Sequence, residues 1–247
     1  MRSGRAAIGA LGSALAVGTL SGCVTTQQKN ARAQLIADRT LASRDVIHVT
    51  RPNPYVRVTR LALVVSPHGT AVVVRLHNPS AHALTDLPIS VGVLSRRGQR
   101  VYLNRQANID YFDTHVPAVA AKSTATWVFT SRRRVAGGSA LFADVGVAQS
   151  PPPATVSTLP TIEVTRAPES LADGLRGVFR LAVANTSGVP QYGLQVYAVA
   201  VRGGRYVGAG RTGIDLAGGD RTTLELTLLG NPTRASISLD ALPTIFK

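Results

Sequence analysis

One short stretch of the 247-residue chain, 108–115, combines carboxylate, imidazole and aromatic side chains. Carboxylate oxygens and an imidazole nitrogen are ligands for divalent cations, although the spacing here is not that of an EF-hand loop. The aromatic pair suits the tip of a partner-binding loop equally well, because loops on rigid scaffolds often carry function. A solvated loop with one packed aromatic is the third interpretation. The residues concerned are Asp110, Tyr111, Phe112, Asp113 and His115.

No recognisable catalytic arrangement accompanies this stretch. The chain lacks the Gly-x-Ser-x-Gly elbow, the His-Glu-x-x-His pair, the Walker loop and the dinucleotide glycine fingerprint. Its five histidines show no His-x-His or His-x-x-x-His spacing, and its 13 acidic residues are spread thinly. We therefore predict no catalytic residues, no metal and no non-covalent cofactor.

The single cysteine, Cys23, ends a short apolar stretch at the N-terminus. Arg2 and Arg5 precede a run of small and apolar residues over 8–19, which is the pattern of a secretory signal. A lone cysteine offers no disulfide framework and no thiolate metal site.

The end of this stretch resembles the lipobox of bacterial lipoproteins. The resemblance implies cleavage before Cys23 and covalent attachment of diacylglycerol to its thiol, with an acyl lipid such as palmitate expected on the same residue. Val24 follows the cysteine where Asp would mark inner-membrane retention. The expected location is therefore the periplasmic face of the outer membrane, or the outer face of the plasma membrane in a one-membrane cell. The lipobox residues are Leu20, Ser21, Gly22 and Cys23.

The charge balance is strongly basic, with a net charge of +14 for the whole chain. Without Arg2 and Arg5, 25 basic residues face 13 acidic ones, which leaves +12. Such a balance favours polyanionic partners, and an exported lipoprotein is not expected to meet nucleic acid. One run, Arg132, Arg133 and Arg134, would suit bidentate contacts to phosphate or would form a solvated turn.

Beyond the signal, the pattern predicts a polar tether over 23–45 with one short helix, and then β-strands. Alternating segments predict strands near 56–63, 70–76, 87–93, 123–130 and 139–147. Three consecutive prolines at 151–153 favour a stiff spacer, so we place a linker at 149–158. The predicted units are therefore a signal at 1–22, the tether, one domain at 46–148 and a second at 159–247.

The second domain repeats the first at an offset near 106 residues. Both copies carry an Asn-x-Ser turn, at 78–80 and 185–187, in which the Asn side chain can bond backbone two residues on. After Tyr102 the first copy is about ten residues longer, and the stretch 108–115 lies within that extra length. A tandem duplication explains this order of elements.

Seven short strands per unit are typical of an antiparallel sandwich, so the predicted fold class is all-β, with two tandem immunoglobulin-like sandwiches. Each unit resembles the bacterial immunoglobulin-like domains of the CARDB and FxLYD types, through the strand ending in Asn-x-Ser and the Gly-centred hairpin. This resemblance implies a non-enzymatic binding or structural module that contacts an envelope protein or an anionic polymer. Two alternatives stay open: an accessory subunit of a secretion or surface-assembly machine, and a small-ligand or metal binder using the 108–115 loop.

Overall fold

The computed structural model describes residues 26–44, 46–135, 140–148, 158–167 and 177–245. Over these residues the protein is an all-β assembly of antiparallel sheets with immunoglobulin-like sandwich character, preceded by one helix, α1 (Thr26–Ala42). The predicted fold class is therefore confirmed. Within the same residues, no helix is long and apolar enough to cross a membrane.

The described part of the first copy forms two sheets from seven strands. One sheet has the order β1-β2-β6, and in the other the central β3 pairs with β4, β5 and β7. The strands are β1 (Arg57–Ser66), β2 (Gly69–Asn78), β3 (Leu84–Leu94), β4 (Arg100–Tyr102), β5 (His115–Val119), β6 (Ser123–Ser131) and β7 (Leu141–Val145).

The described part of the second copy also has seven strands in two sheets, with the orders β12-β9-β8 and β13-β11-β10-β14. The strands are β8 (Ile162–Arg166), β9 (Val178–Asn185), β10 (Gln191–Arg202), β11 (Arg205–Leu216), β12 (Arg221–Thr227), β13 (Leu229–Gly230) and β14 (Ser236–Leu242). The predicted linker falls between β7 and β8, and residues 149–157 lie outside the described part of the chain.

The two copies share strand order and turn chemistry. The order β1-β2-β6 corresponds to β8-β9-β12, and β7 beside β3 corresponds to β14 beside β10. Asn78 Oδ1 accepts from the Ser80 backbone N–H at 3.0 Å, and Asn185 Oδ1 accepts from that of Ser187 at 3.1 Å. Both asparagines are fully buried and donate through Nδ2 to backbone carbonyls. The sequence interpretation of these residues as turn formers is confirmed.

The copies differ where the first is longer. In the second copy β11 pairs with β10 from Arg205 to Leu216, with only small register shifts. In the first copy the equivalent partner of β3 is divided into β4 and β5, separated by residues 103–114. These residues leave the sheet, and they carry most of the stretch that combines carboxylates and aromatics.

The sheets lie in layers, so that strands of the second copy border two hydrophobic cores. Because side chains alternate across a strand, successive β10 residues reach opposite faces. Val196 and Ala198 belong to a core inside the second sandwich, whereas Tyr197 and Val199 belong to a core built mainly from first-copy residues. The sheet β13-β11-β10-β14 therefore packs on β1-β2-β6, and the two copies form a continuous stack.

The predicted polar tether is mostly helical and contacts the sandwich. Helix α1 has 17 residues, none of them buried, and Ile36 and Leu41 are half exposed. Its contacts come from arginines instead: Arg32 pairs with Asp215, and Arg39 donates to the Tyr192 carbonyl. The helix lies against the second copy because polar side chains attach it, without an apolar stripe.

Candidate functional site

The interruption of the first copy's sheet is stabilised by one buried amide side chain. Asn104 Oδ1 accepts from the Val91 N–H at 2.9 Å, and its Nδ2 donates to the carbonyls of Ile89 and Asp113, each at 2.8 Å. These backbone groups would otherwise need a neighbouring strand. Because an unpaired buried backbone group is costly, Asn104 lets the chain leave the sheet and place 105–114 elsewhere.

The loop that follows is ordered by local hydrogen bonds. Asp110 precedes a single turn of 3-10 helix, Tyr111–Asp113, and its Oδ1 accepts from the Phe112 N–H at 2.9 Å. The Tyr111 ring stacks on His115 with centroids 3.9 Å apart, and its hydroxyl donates to Asp86. The carbonyls of Phe112 and His115 accept from the buried Trp127 indole.

The two acids of the loop meet an arginine of the second copy. Arg211 Nη2 lies 2.8 Å from Asp113 Oδ1, an ion pair without hydrogen-bond alignment, and 3.2 Å from Asp110 Oδ1. The Nη1 atom of Arg211 donates to Gln195 Oε1 at 2.8 Å. The Arg211 side chain is 14% exposed and that of Asp113 12%. This ion-pair cluster links the loop to β11.

Burial sets the protonation properties of this region. It raises the pKa of Asp113 to about 6, even though Arg211 opposes the shift. Burial lowers the pKa of Arg211, but the charges of Asp113, Tyr197 and Asp110 together with the hydrogen bond to Asp110 outweigh burial, so the pKa of that arginine rises overall. Burial also lowers the pKa of His115 and raises the pKa of the fully buried Tyr197, whose hydroxyl has no hydrogen-bond partner among the described residues.

A second contact brings the helix, the loop and β10 together at one point. The Arg39 guanidinium lies 4.5 Å from the Phe112 ring centroid and donates to the Tyr192 carbonyl at 3.0 Å. Gly193 has a φ of +67°, and a Cβ there would lie 2.8 Å from Arg39 Nη1 and 3.1 Å from Phe112 Cε2. Only glycine fits this position without displacing a neighbour.

A groove of about 520 Å³ lies between α1 and the adjacent end of the second copy. The Arg32–Asp215 ion pair, at 2.5 Å, lies in its lining, beside Ile36, Pro190 and Tyr192. The Tyr192 hydroxyl donates to the Gln28 carbonyl at 3.4 Å, so the first turn of the helix also contacts this end.

The predicted site residues are therefore distributed over separate places. Asp110, Tyr111, Phe112, Asp113 and His115 share one packed loop, in which Phe112, Asp113 and His115 are buried. Arg132, Arg133 and Arg134 are exposed immediately after β6. The lipobox residues, Leu20 to Cys23, lie outside the described part. Among the described residues, no group of three His, Cys, Asp or Glu side chains could hold a metal ion.

Sequence reasoning missed the partners of this loop. Arg39, Gln195 and Arg211 were ordinary polar residues of a tether and two strands, and no local pattern marks them. Asp240 was missed too; its Oδ2 accepts from the Thr126 N–H on the free edge of β6 at 3.1 Å, and burial raises its pKa. One signal was available in the sequence: the acidic stretch falls in the extra length that the first copy has and the second copy lacks.

No protein-family model and no curated protein sequence matches the chain. Among solved structures, a red sea bream transglutaminase aligns at 13% identity with a TM-score of 0.21, over 77% of this chain and 32% of its own. This chain thus spans about a third of that enzyme's length. A 7S globulin of Momordica charantia aligns at 8% identity with a TM-score of 0.19, over 76% of this chain and 80% of its own. Likenesses this weak assign no function.

Proposed function

We propose that this chain is a lipid-anchored protein of the bacterial cell envelope, a non-enzymatic module whose two stacked sandwiches bind another envelope component. The observation that carries the proposal is the position of α1. It begins at Thr26, three residues after the lipobox cysteine, and is attached to the second copy through Arg32 and Arg39. An acyl group on Cys23 would therefore connect to the folded body almost directly.

The reach of the chain makes this connection short. Three residues span at most about 11 Å when fully extended. The first turn of α1 contacts Tyr192 through the Gln28 carbonyl. A lipid on Cys23 would accordingly keep this end of the second copy near the bilayer, rather than suspend the body on a long flexible stalk.

The chemistry of the loop supports a binding or structural role over catalysis. A general acid–base pair needs carboxylates with separate environments and access to a substrate. Here Asp110 and Asp113 both contact Arg211. The carbonyl of the buried Phe112 accepts from the Trp127 indole, and its ring lies against the Arg39 guanidinium. These contacts join the loop, the helix and the second copy.

The decisive experiment is Cys23→Ser in cells of the source type, compared with wild type and with Val24→Ala, which keeps the thiol. Wild type and Val24→Ala should incorporate labelled palmitate and sediment with membranes. Cys23→Ser should incorporate none and become soluble while its circular dichroism spectrum stays unchanged. Two or more acyl chains make such an anchor stable, so its loss is decisive. Membrane retention of Cys23→Ser after a high-salt wash would overturn the lipid-anchor proposal.

A further inference from the structure

One face of the first copy carries a cluster of basic side chains, which we name the basic row: Arg57, Arg60, Arg75 and His77. Arg57 lies directly opposite His77 in the β1–β2 register, and Arg60 directly opposite Arg75. Opposed residues share a face, with about 5 Å between them, and successive pairs along a strand are about 7 Å apart. A bulge between Val58 and Arg60 separates the two β1 arginines by three positions, so the row is a two-by-two arrangement of basic groups on one face of a locally bent strand pair.

No carboxylate lies within ion-pair distance of the basic row among the described residues, although Asp240, which accepts from the Thr126 N–H, is close enough for its charge to interact with Arg75. The ion pairs of the described chain involve other arginines, and the β6 residues beside the row are Thr124 and Thr126. The three arginines are exposed. His77 Nδ1–H donates to the Ser123 carbonyl at 3.1 Å, which leaves Nε2 for a ligand. Like charges placed directly opposite destabilise a sheet, so the arrangement has a cost that an anionic ligand would remove.

The second copy lacks this arrangement at the equivalent positions. Arg57 corresponds to Glu163, Arg75 to Ala182 and His77 to Ala184 in the repeat. The register is the same for the first pair, since Glu163 lies opposite Ala184 in the β8–β9 pair. It differs for the second pair, because a bulge after Val58 puts Arg60 opposite Arg75, whereas Thr165 lies opposite Ala182. The strand geometry therefore does not require basic residues here, and the row is specific to the first copy.

The basic row lies far from the end of the molecule that carries α1. Arg60 donates to the Gly204 carbonyl and stacks on Tyr206 at 4.5 Å, so the row borders the β10–β11 hairpin turn. Strand β10 runs from Gln191 beside α1 to Arg202 at that turn, a length of about 36 Å for 12 residues. Allowing for the reach of residues 23–26, Arg60 stays about 15 Å or more from Cys23. That distance exceeds the screening length of about 8 Å at physiological ionic strength.

We propose that the basic row binds a linear polyanionic polymer at the end of the molecule remote from the lipid anchor. The orientation relative to the membrane rests on the proposed function, whereas the binding surface does not. Four basic groups spread over two strands can each meet a different anionic group, which a polymer supplies and a single small anion does not. Arginine suits this role because its guanidinium binds phosphate or carboxylate bidentately.

The test measures binding of long-chain inorganic polyphosphate to the full-length chain in non-ionic detergent. Three double variants each remove two positive charges: Arg57→Gln/Arg75→Gln in the basic row, Arg132→Gln/Arg133→Gln in the arginine run, and Arg96→Gln/Arg97→Gln in an exposed turn. We expect wild-type affinity to fall about 40-fold between 50 and 200 mM salt, as for three neutralised charges. The basic-row variant should bind about tenfold more weakly at 50 mM salt, and the other two within twofold of wild type.

A second arm distinguishes the polymer from a lipid surface. Cys23→Ser protein is mixed with vesicles of phosphatidylcholine containing 30% phosphatidylglycerol, and we expect binding at least tenfold weaker than to polyphosphate of equal charge concentration. Equal losses in all three double variants, a larger loss in the Arg132/Arg133 variant, preferential vesicle binding, or no polyphosphate binding at 50 mM salt would each overturn the proposal. A failure of the lipid anchor shows instead as membrane-bound Cys23→Ser, which leaves the polyphosphate result readable. Each variant should stay folded, with a melting temperature no lower than that of wild type, because its replaced side chains are exposed.

Discussion

Equivalent positions of the two copies carry opposite chemistry. Val73 and Val128 are paired across β2 and β6 in the first copy and are fully buried. Their counterparts in the second copy, Arg180 and Glu225, are paired across β9 and β12 in the same register and form an exposed ion pair at 3.3 Å. One sheet is covered by the other copy and the other sheet faces solvent. The comparison shows that the stacking of the copies, rather than the sandwich itself, determines these residues.

The same contrast runs along whole strands. In β2 the residues from Gly69 to Val74 are all buried, whereas β9 alternates between buried and more accessible positions. A strand covered on both faces is expected to be continuously apolar, and one covered on a single face to alternate. Of these two equivalent sheets, β1-β2-β6 of the first copy is thus an inner layer of the stack, and β8-β9-β12 of the second copy is an outer layer.

The largest expected effect comes from transferring second-copy chemistry to the inner layer. Val128→Glu would place an unpaired charge between the stacked sheets, and we expect it to lower the free energy of unfolding by more than about 4 kcal/mol or to prevent folding. The matched change in the outer layer, Glu225→Gln, should cost less than about 1 kcal/mol. Chemical denaturation measures both, and Val128→Ala, at about 2 kcal/mol, serves if the charged variant does not fold.

If Val128→Ala and Glu225→Gln lowered the free energy of unfolding equally, the covered sheet of the first copy and the solvent-facing sheet of the second would not differ in solution.

A second prediction concerns the interrupted strand that only the first copy has. Asn104→Ala removes the acceptor of the Val91 N–H and the donor to two buried carbonyls. Each unsatisfied buried group costs about 1–3 kcal/mol, so we expect a loss near 3 kcal/mol in chemical denaturation. Thr212→Ala on the uninterrupted β11 should cost less than about 1 kcal/mol. If Asn104→Ala lowers the free energy of unfolding by less than about 1 kcal/mol, water replaces the amide side chain at little cost.

A third prediction tests the point where helix, loop and β10 meet. Gly193 and its repeat counterpart Asp86 both adopt positive φ, at +67° and +55°. Gly193→Ala keeps a strained backbone and adds a Cβ that collides with Arg39, so we expect a loss of about 1–2 kcal/mol. Hydrogen exchange of residues 26–42 should accelerate while β2 and β6 keep their protection. Exchange that stays unchanged in the helix would refute its attachment through Arg39.

The smallest effect is expected from protonation of Asp113, which has no counterpart in the second copy. Its pKa of about 6 in the folded state exceeds the ordinary value of 3.8, so the unfolded chain holds less of this proton. The free energy of unfolding therefore gains about 1.3 kcal/mol from this group as the pH falls from 7 to 5. His115, with a lowered pKa, acts in the opposite direction below pH 6.5.

The measurement is the difference between wild type and Asp113→Asn at both pH values, which removes the contribution of His115. The increase in the free energy of unfolding that Asp113 gives between pH 7 and pH 5 should be absent in Asp113→Asn. If the difference in free energy of unfolding between the two proteins is the same at both pH values, the raised pKa is contradicted.

Sequence patterns alone predict the local part of this fold. Alternation gives β1, β2, β3, β6 and β7 within a few residues. The repeat shows about ten extra residues after Tyr102 in the first copy, but it does not predict that they divide a strand. Period-2 patterns predict which residues share a face, but they do not say what covers that face. The unbroken apolar run Ala71–Val74 hinted at burial on both sides, although it did not identify the second copy as the cover.

The candidate site was harder to predict because its contacts join residues distant in sequence. Asp113 and Arg211 are 98 positions apart, and Arg39 reaches a strand 153 residues away. Such pairs depend on how complete layers pack, which no local motif encodes. The tether illustrates this limit: its composition is polar, yet two arginines attach it to the body.

Strand β10 couples the two copies, so we expect them to unfold together although the repeat suggests two separate domains. Its alternate side chains complete two different cores, so neither core survives when this strand is released. A chain cut at the linker would leave Tyr197 and Val199 uncovered on one fragment, and Val73 and Val128 on the other. If the chain is exported as proposed, it would become resistant to proteases only once both repeats have emerged, and neither repeat would fold as an independent domain.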